Sequence, residues 1–495
     1  MQKIKQLASD TALYGLGSLV PRFLNFLLFP LQTRFFDPAE YGLLSYLYIY
    51  VAFLNVVYTF GMETAYFRFA NKAGADEERV FRTAQTFVVS ISIGFSILLV
   101  LLSPAIAAHL DAPDKAYVIR WLAAVLLIDN IVAIPFARLR FRRKPISYAS
   151  ARIVNAALLV GFNVLFLLVF FRAEETNRLP EFLANPLQGV SGVDWVILAN
   201  LLANLFYVFF FARTLLQWRP VLDRLLFREM MPYAYPVMLM GITGMINEMF
   251  SRWALEWWWP ASSGKTWQFA LGVLSAAYKY AIIMNLAIQA FRYAADPFFF
   301  SRAQDKNSPR LFAEVNHYFV IVCASILVAV SVNMDLLKHL LGQAAYYEGI
   351  SVVPLLLLSY LLLGVYLNLA IWFKLADKTY YGTLFSLLGA LITIIGNFLL
   401  VPRFGYLGAA WASVACSFIM VLVCFVTGQR HYPVPYKISR GLAYVVLAFV
   451  LILIEKQVIL ESTLSRTLFQ LTLPIIFLLV AWIFERNNFK AAREF

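Results

Sequence analysis

Fourteen apolar segments of about twenty residues, separated by short loops rich in lysine and arginine, leave this chain one class of fold. A helix of that length crosses the hydrocarbon of a bilayer with every backbone amide bonded internally, which lipid demands. The 495 residues are 61% apolar and 14% charged, with a mean hydropathy of +0.72. Soluble domains run nearer 45–50% apolar and about 25% charged, so this excess needs lipid to face. The expected fold is all-α and integral to the membrane. Its spans lie near 9–35, 41–69, 80–110, 115–137, 148–171, 194–212, 229–258, 268–300, 311–332, 350–373, 380–401, 405–427, 438–455 and 467–484. The first apolar stretch follows Lys3 and Lys5 but runs past Phe35 with no small-residue cleavage site, so it is expected to stay as the first span.

The formal net charge of +13 is a topology signal, not the mark of a nucleic-acid binder, because the cations sit in alternate loops. With the N-terminus inside, cytoplasmic segments hold twenty-seven of the lysines and arginines, among them Arg68, Lys72, Arg79, Arg82, the run Arg138–Lys144 and Arg152. The opposite side holds ten. Both termini are therefore expected on the cytoplasmic side of the membrane. The longest outside connection, 173–193, has some twenty residues, and 333–349 reads as a short interfacial helix. Trp257-Trp258-Trp259 and Trp267 crowd span ends as an aromatic belt does.

Cys323, Cys416 and Cys424 lie in apolar segments and offer neither a disulfide framework nor metal spacing. His109, His317, His339 and His431 are scattered near span ends, so no metal or nucleophile site assembles from them. Internal similarity is visible. Spans five and eleven begin at Tyr148 and Tyr381 and place Gly161…Asn163 and Gly396-Asn397 late; spans one and seven carry Pro21/Pro30 and Pro232/Pro236. Six helices separate each pair, which makes the halves parallel repeats. The expected organisation is an N-terminal lobe over 1–213, a C-terminal lobe over 214–430, and two further helices with a cytoplasmic tail over 431–495.

Four cations remain inside the apolar segments: Arg22, Arg252, Lys279 and Arg292. A charge near mid-bilayer costs roughly 2.5–3.5 kcal/mol on insertion scales, so each should face protein or water. Arg22 has Asn25 one turn on. Asn247, Glu248, Arg252 and Glu256 share span seven, and Asn285, Gln289, Arg292 and Asp296 form one stripe in span eight. Acids are fewer, with Glu63, Asp129 and Glu248 inside spans. Two readings stand. Arg252 with Glu248 or Glu256, and Arg292 with Asp296, are self-neutralising pairs; or the cations line a cavity for an anion, which suits a phosphate or pyrophosphate. Glu63, Asp129 and Glu248 are candidates for H⁺ or Na⁺ coupling, or counter-ions. No other cofactor and no metal is expected.

The stretch Gly396-Asn397-Phe398-Leu399-Leu400-Val401-Pro402-Arg403-Phe404-Gly405-Tyr406-Leu407-Gly408-Ala409-Ala410-Trp411-Ala412-Ser413 resembles a signature of bacterial polysaccharide flippases, within the multidrug/oligosaccharidyl-lipid/polysaccharide exporter superfamily. Ala270–Lys279 with Ala290-Phe291-Arg292 is similar to the eighth helix of that group, and Phe36-Asp37-Pro38-Ala39-Glu40-Tyr41-Gly42 to its first outside turn. The resemblance spans about 1–430. It implies two six-helix lobes plus two helices around a central cationic cavity, and alternating access for an undecaprenyl-pyrophosphate-linked oligosaccharide. Arg22, Lys279, Arg252 and Arg292 would then hold pyrophosphate, and Asn25, Asn247 and Gln289 sugar hydroxyls. Related lipid II flippases place an arginine like Arg22 beside an acid, whereas here the neighbour is Phe23. The expected partners are the lipid-linked glycan, the bilayer and polysaccharide polymerase or assembly proteins; the expected state is a monomer. Within the same superfamily, the alternatives are a lipid II flippase or a multidrug/cation antiporter. A membrane glycosyltransferase or polymerase needs a sizeable outer loop with catalytic acids or histidines, and no loop here has that size.

Overall fold

The computed structural model of the chain describes residues 2–110, 112–171, 190, 192–302, 307–376, 378–458, 460 and 462–491. The expected outer loop 173–193 falls almost wholly outside these. All regular structure among the described residues is helical, and each expected apolar segment is a helix or a pair of helices. Eleven helical stretches are long and apolar enough to cross a membrane. The chain is thus a multi-pass membrane protein. The expected spans outside that set are diluted by Arg22, Asn25 and two prolines in one case, by Asn247, Glu248 and Arg252 in another, and number only 17 residues (Asp194–Phe210) in the third.

Two compact units divide the chain, residues 1–246 and 247–495. The first contains α1 (Gln2–Phe35), α2 (Pro38–Thr59), α3 (Met62–Ala70), α4 (Glu77–His109), α5 (Ala116–Ile131), α6 (Ala133–Phe141), α7 (Pro145–Leu165), α8 (Asp194–Phe210), α9 (Ala212–Gln217) and the start of α10 (Arg224–Trp258). The second takes the end of α10, then α11 (Trp267–Arg302), α12 (Ser308–Val332), α13 (Val353–Leu369), α14 (Ile371–Leu375), α15 (Tyr380–Phe404), α16 (Tyr406–His431), α17 (Ile438–Gln457) and α18 (Thr463–Ala491). The expected interfacial helix over 333–349 is instead one α-turn, Met334–Leu337, followed by two 3₁₀ stretches.

The helix starts are written locally. Asp37 accepts the Glu40 amide at 2.9 Å while Glu40 accepts the Asp37 amide at 3.2 Å, and Pro38 fills the first turn where no amide is needed. This capping box is the physical content of the Asp37-Pro38-Ala39-Glu40 motif. Asp37→Ala removes one side of it and is expected to cost about 1 kcal/mol. The apparent melting temperature of the purified protein should fall by a few degrees, and an unchanged value would show that the cap is idle.

Internal repetition is legible inside each unit. Asn163 of α7 is fully buried, donates to the Leu159 carbonyl four residues back at 2.8 Å, and meets Gln32 of α1 at 3.5 Å. Asn397 of α15 is fully buried, donates to the Thr393 carbonyl at 2.7 Å, and meets Ser251 of α10 at 3.0 Å. The fourth and tenth spans also break alike: α5 ends and α6 begins at Val132, and α13 ends and α14 begins at Ala370. These pairs are six spans apart.

In the first unit, the N-terminal end of α4 and the start of α10 are tied to their neighbours by charge. Arg138 pairs with Glu77 and Glu78, Arg142 with Glu77 at 2.7 Å, and Arg79 with Asp223. Asp223 caps α10 through the Leu225 and Leu226 amides, both 3.0 Å away. The Leu226 amide and Arg79 hold its carboxyl below the ordinary carboxylate range. In the second unit Asp335 joins Lys338 of the 338–340 turn to Arg466 and Gln470 of α18. These groups keep its carboxyl low although burial pushes it up.

Candidate functional site

The polar residues of the second unit gather where the end of α10, α11, α15 and α16 meet. Ser251 and Ser413 hydroxyls lie 3.0 Å apart, Tyr278 reaches Ser413 at 3.2 Å, and Asn397 donates to Ser251. Small residues make this possible, since a serine hydroxyl lets two helices approach while giving the buried amide and phenol a partner. The Tyr278 ring is thereby fixed, and the Arg252 guanidinium stands over it, 4.8 Å from the centroid. Cation–π contact of this kind steadies a guanidinium without neutralising it.

Lys279 follows Tyr278 directly, and Arg252 is the charge that acts on it. Neither cation makes an ion pair among the described residues. The expected Arg252 pairing along its own helix does not form: Glu256 accepts from Trp253 Nε1 at 3.1 Å, and Glu248 is exposed. The Arg252 Nε is buried with no acceptor. Two like charges within electrostatic reach of each other, with a buried Arg252 donor left without an acceptor, are costly unless something anionic approaches. Asn247 donates to the Ser386 carbonyl at 3.1 Å and leaves its own oxygen buried and unpartnered. Gln289 donates to Asn285 at 2.8 Å on the stripe of α11, and Tyr360 of α13 bonds Asn285 in turn. Arg292 is half-buried on the same helix, while the Asp296 side chain, its expected partner, lies outside the described residues.

In the first unit Arg22 and Asn25 are both exposed on α1, one turn apart, and Phe23 beside them is 53% exposed. Arg22 has no ion-pair partner among the described residues. The acids have other company. Glu63, in the first turn of α3, meets Arg140 at 2.7 Å. Asp129 accepts from Asn204 at 3.0 Å, and Asn204 accepts from Asn155 at 3.1 Å.

Two features lie beyond sequence reasoning. Arg152, counted with the loop cations, is inside α7, its guanidinium 4.3 Å from the Phe136 ring and within electrostatic reach of Tyr207, Tyr148, Asp129 and Glu63. Its place about two turns into the helix that starts at Pro145 is the signal that separates it from the loop. His317 meets Glu485 at 2.9 Å, and no sequence signal links residues 168 positions apart. No group of histidine, cysteine and acid side chains fit to hold a metal occurs among the described residues.

A family model described as polysaccharide biosynthesis protein matches residues 7–302. No curated protein matches the sequence. Among solved structures, a lipid II flippase MurJ in an inward closed conformation superposes with a TM-score of 0.75 at 12% identity, covering 97% of this chain and 100% of that one. An inward-facing multidrug resistance MATE family transporter of the MOP superfamily gives 0.63 at 13% identity, covering 89% and 98%. The outward-facing conformation of such a transporter gives 0.53 at 12%, covering 89% and 96%. The shared fold is that of flippase-like transporters.

Proposed function

Because this chain belongs to the polysaccharide biosynthesis protein family, we propose that it is a flippase for a polyprenyl-pyrophosphate-linked oligosaccharide, moving the glycan head group from the cytoplasmic to the outer leaflet. The observation that carries this reading is the pair Arg252 and Lys279, neighbouring cations in apolar helices with no carboxylate ion-paired to either among the described residues. A drug-cation antiporter has no use for such a pair, since like charge repels its cargo. A pyrophosphate answers it twice over, taking a planar fork from arginine and a point charge from lysine. Arg22 and Arg292 are assigned to the same anion at other stages of its passage. Asn25, Asn247 and Gln289 are assigned to sugar hydroxyls. The lipid tail stays in the bilayer while the head group crosses by alternating access, with lobes over 1–213 and 214–430 and the helices of 431–495 beside them. The lipid II flippase of like fold moves a lipid-linked cargo by its name, which agrees with this substrate class.

The test is transport in proteoliposomes loaded with a short-chain polyprenyl-pyrophosphate glycan. Lys279→Ala and Arg22→Ala should each lower the flipping rate at least tenfold, equivalent to about 1.4 kcal/mol of lost stabilisation. The double variant should abolish it, while all three variants keep a wild-type elution profile. Undiminished transport in the double variant would remove the cationic site from the mechanism. Preferential efflux of a cationic drug by the wild-type protein would replace the reading with the antiporter.

A further inference from the structure

The first unit carries a chain of hydrogen bonds across four apolar helices that the pyrophosphate reading does not use. Asn200 of α8 donates to the Tyr48 hydroxyl of α2 at 3.1 Å. One turn further along α8, Asn204 donates to Asp129 of α5 at 3.0 Å and accepts from Asn155 of α7 at 3.1 Å. Asn130, next to Asp129, donates to Asn55 of α2 at 2.8 Å. Arg152, about one turn before Asn155, bonds Tyr207 of α8 and stacks on the Phe136 ring at 4.3 Å. Polar side chains at membrane depth face the protein interior or water, and they mark paths for polar cargo.

The chain leaves hydrogen-bonding capacity over. Asn155 commits both amide hydrogens, to Asn204 and to the Ala203 carbonyl, and keeps its oxygen. Asn200 keeps its oxygen, Asn55 its amide hydrogens and Tyr48 its hydroxyl hydrogen, each without a partner among the described residues. Asp129 keeps a second carboxylate oxygen, and Arg152 is ion-paired to no carboxylate among the described residues. All six of these side chains are partly exposed. Three offer donors and three offer acceptors.

We propose that this face of the first unit is a sugar subsite, where Asp129 and Arg152 share the hydroxyls of one uncharged ring and Tyr48, Asn55, Asn155 and Asn200 bond the hydroxyls around it.

A sugar hydroxyl donates and accepts at one oxygen, so it suits a carboxylate and a guanidinium that do not pair with each other. Charge decides the ligand class. Arg152 is the cation that acts on Asp129. Glu63, which also acts on Arg152, is ion-paired to Arg140 at 2.7 Å. The site is thus balanced: a phosphate would meet Asp129, and a metal ion would meet Arg152. A hydroxyl-rich ligand without charge meets neither repulsion, and its bonds to the two charged groups are the strong ones. The amides already orient one another, so the sugar meets a surface set before it arrives. Under the flippase reading, on which this assignment rests, the sugar is part of the head group.

The test is saturation-transfer NMR on the full chain in nanodiscs, with free disaccharides that carry neither lipid nor phosphate. The probes are maltose, cellobiose and chitobiose, with digalacturonate as the charged comparison. At least one neutral disaccharide should receive transfer that empty nanodiscs do not give, and digalacturonate should bind no more tightly. In Asp129→Asn and in Arg152→Met the affinity for that disaccharide should fall about tenfold or more. Asn55→Ala should weaken it too, and there Asn130 keeps its bond to the Leu126 carbonyl at 2.8 Å, so this variant reads the site even if the other two do not fold. A role in helix packing alone lowers the melting temperatures of these variants and leaves sugar affinity unchanged, a result that overturns the proposal. Tighter binding of digalacturonate overturns it, as does the absence of transfer to every neutral disaccharide; both need only wild-type protein. The probes contain no pyrophosphate, so loss of transport in Lys279→Ala bears on none of these outcomes, and the two readings fail separately.

Discussion

Gly408→Leu is expected to yield no folded protein. A Cβ at Gly408 would fall on the Leu400 carbonyl oxygen, with the Leu400 carbonyl carbon at 2.5 Å and the Val401 nitrogen at 2.9 Å. All three are backbone atoms in the last turns of α15, so no side chain can swing aside. The turn itself is fixed at Gly405, which adopts φ +54 and ψ −124, a region that side-chain-bearing residues avoid. Its amide bonds the Val401 carbonyl at 2.9 Å, and its carbonyl accepts the Ala409 amide at 3.1 Å. Overpacking a side chain costs about 1–3 kcal/mol; displacing backbone at a closed hairpin exceeds that. The hairpin also carries Asn397 and Ser413, so its distortion would dismantle the polar cluster around Tyr278. Gly161→Ala is the matched control, because that glycine has open space where a Cβ would go. Size-exclusion profiles of detergent-solubilised variants decide the matter. A monodisperse Gly408→Leu peak at the wild-type level would sink the argument.

Those glycines show why part of the fold is legible in the sequence. The signature Gly396 to Ser413 reads as a motif because two of its glycines answer a steric demand at one turn, and Asp37-Pro38-Ala39-Glu40 reads as one because it caps a helix. Helix positions follow chiefly from one rule, the length of an apolar segment in lipid. What it misses are the breaks. Phe60 and Gly61 both adopt left-handed backbone and interrupt the second span, yet nothing in its continuous apolarity marks the place. Gly61 lies against the Ala234 carbonyl of α10, a neighbour that only the folded chain supplies. The candidate site divides the same way. Arg22, Arg252 and Lys279 stand out because charges in apolar runs are expensive. Their surroundings do not, and the spacing of Glu248, Arg252 and Glu256 points to ion pairs that the fold declines in favour of Tyr278 and Trp253. Helical spacing states which residues share a face, not which neighbour that face meets.

Glu77→Ala is expected to be the most damaging single charge removal in the first unit. Its carboxylate accepts from the Tyr66 hydroxyl at 2.7 Å and from Arg142 at 2.7 Å, and lies 2.9 Å from Arg138. Tyr66 is fully buried, and Arg138 is 13% exposed with its guanidinium 4.1 Å from the Phe81 ring. Without Glu77 the phenol loses its acceptor, and Arg138 keeps only Glu78, which is half-exposed. Breaking a buried pair from one side costs about 3–5 kcal/mol, because the remaining charge is stranded. The partial exposure here places the effect at the lower end. Glu78→Ala removes an outer partner of the same arginine and should cost about 1 kcal/mol or less. The double variant tests the mechanism: Glu77→Ala with Arg138→Met removes both charges and should recover part of the loss. Apparent melting temperatures of the four proteins, measured in one detergent at one ionic strength, give the comparison. Equal destabilisation by Glu77→Ala and Glu78→Ala would mean that burial does not set the worth of this network. Failure of Arg138→Met to restore any stability would mean that the stranded cation is not the cause.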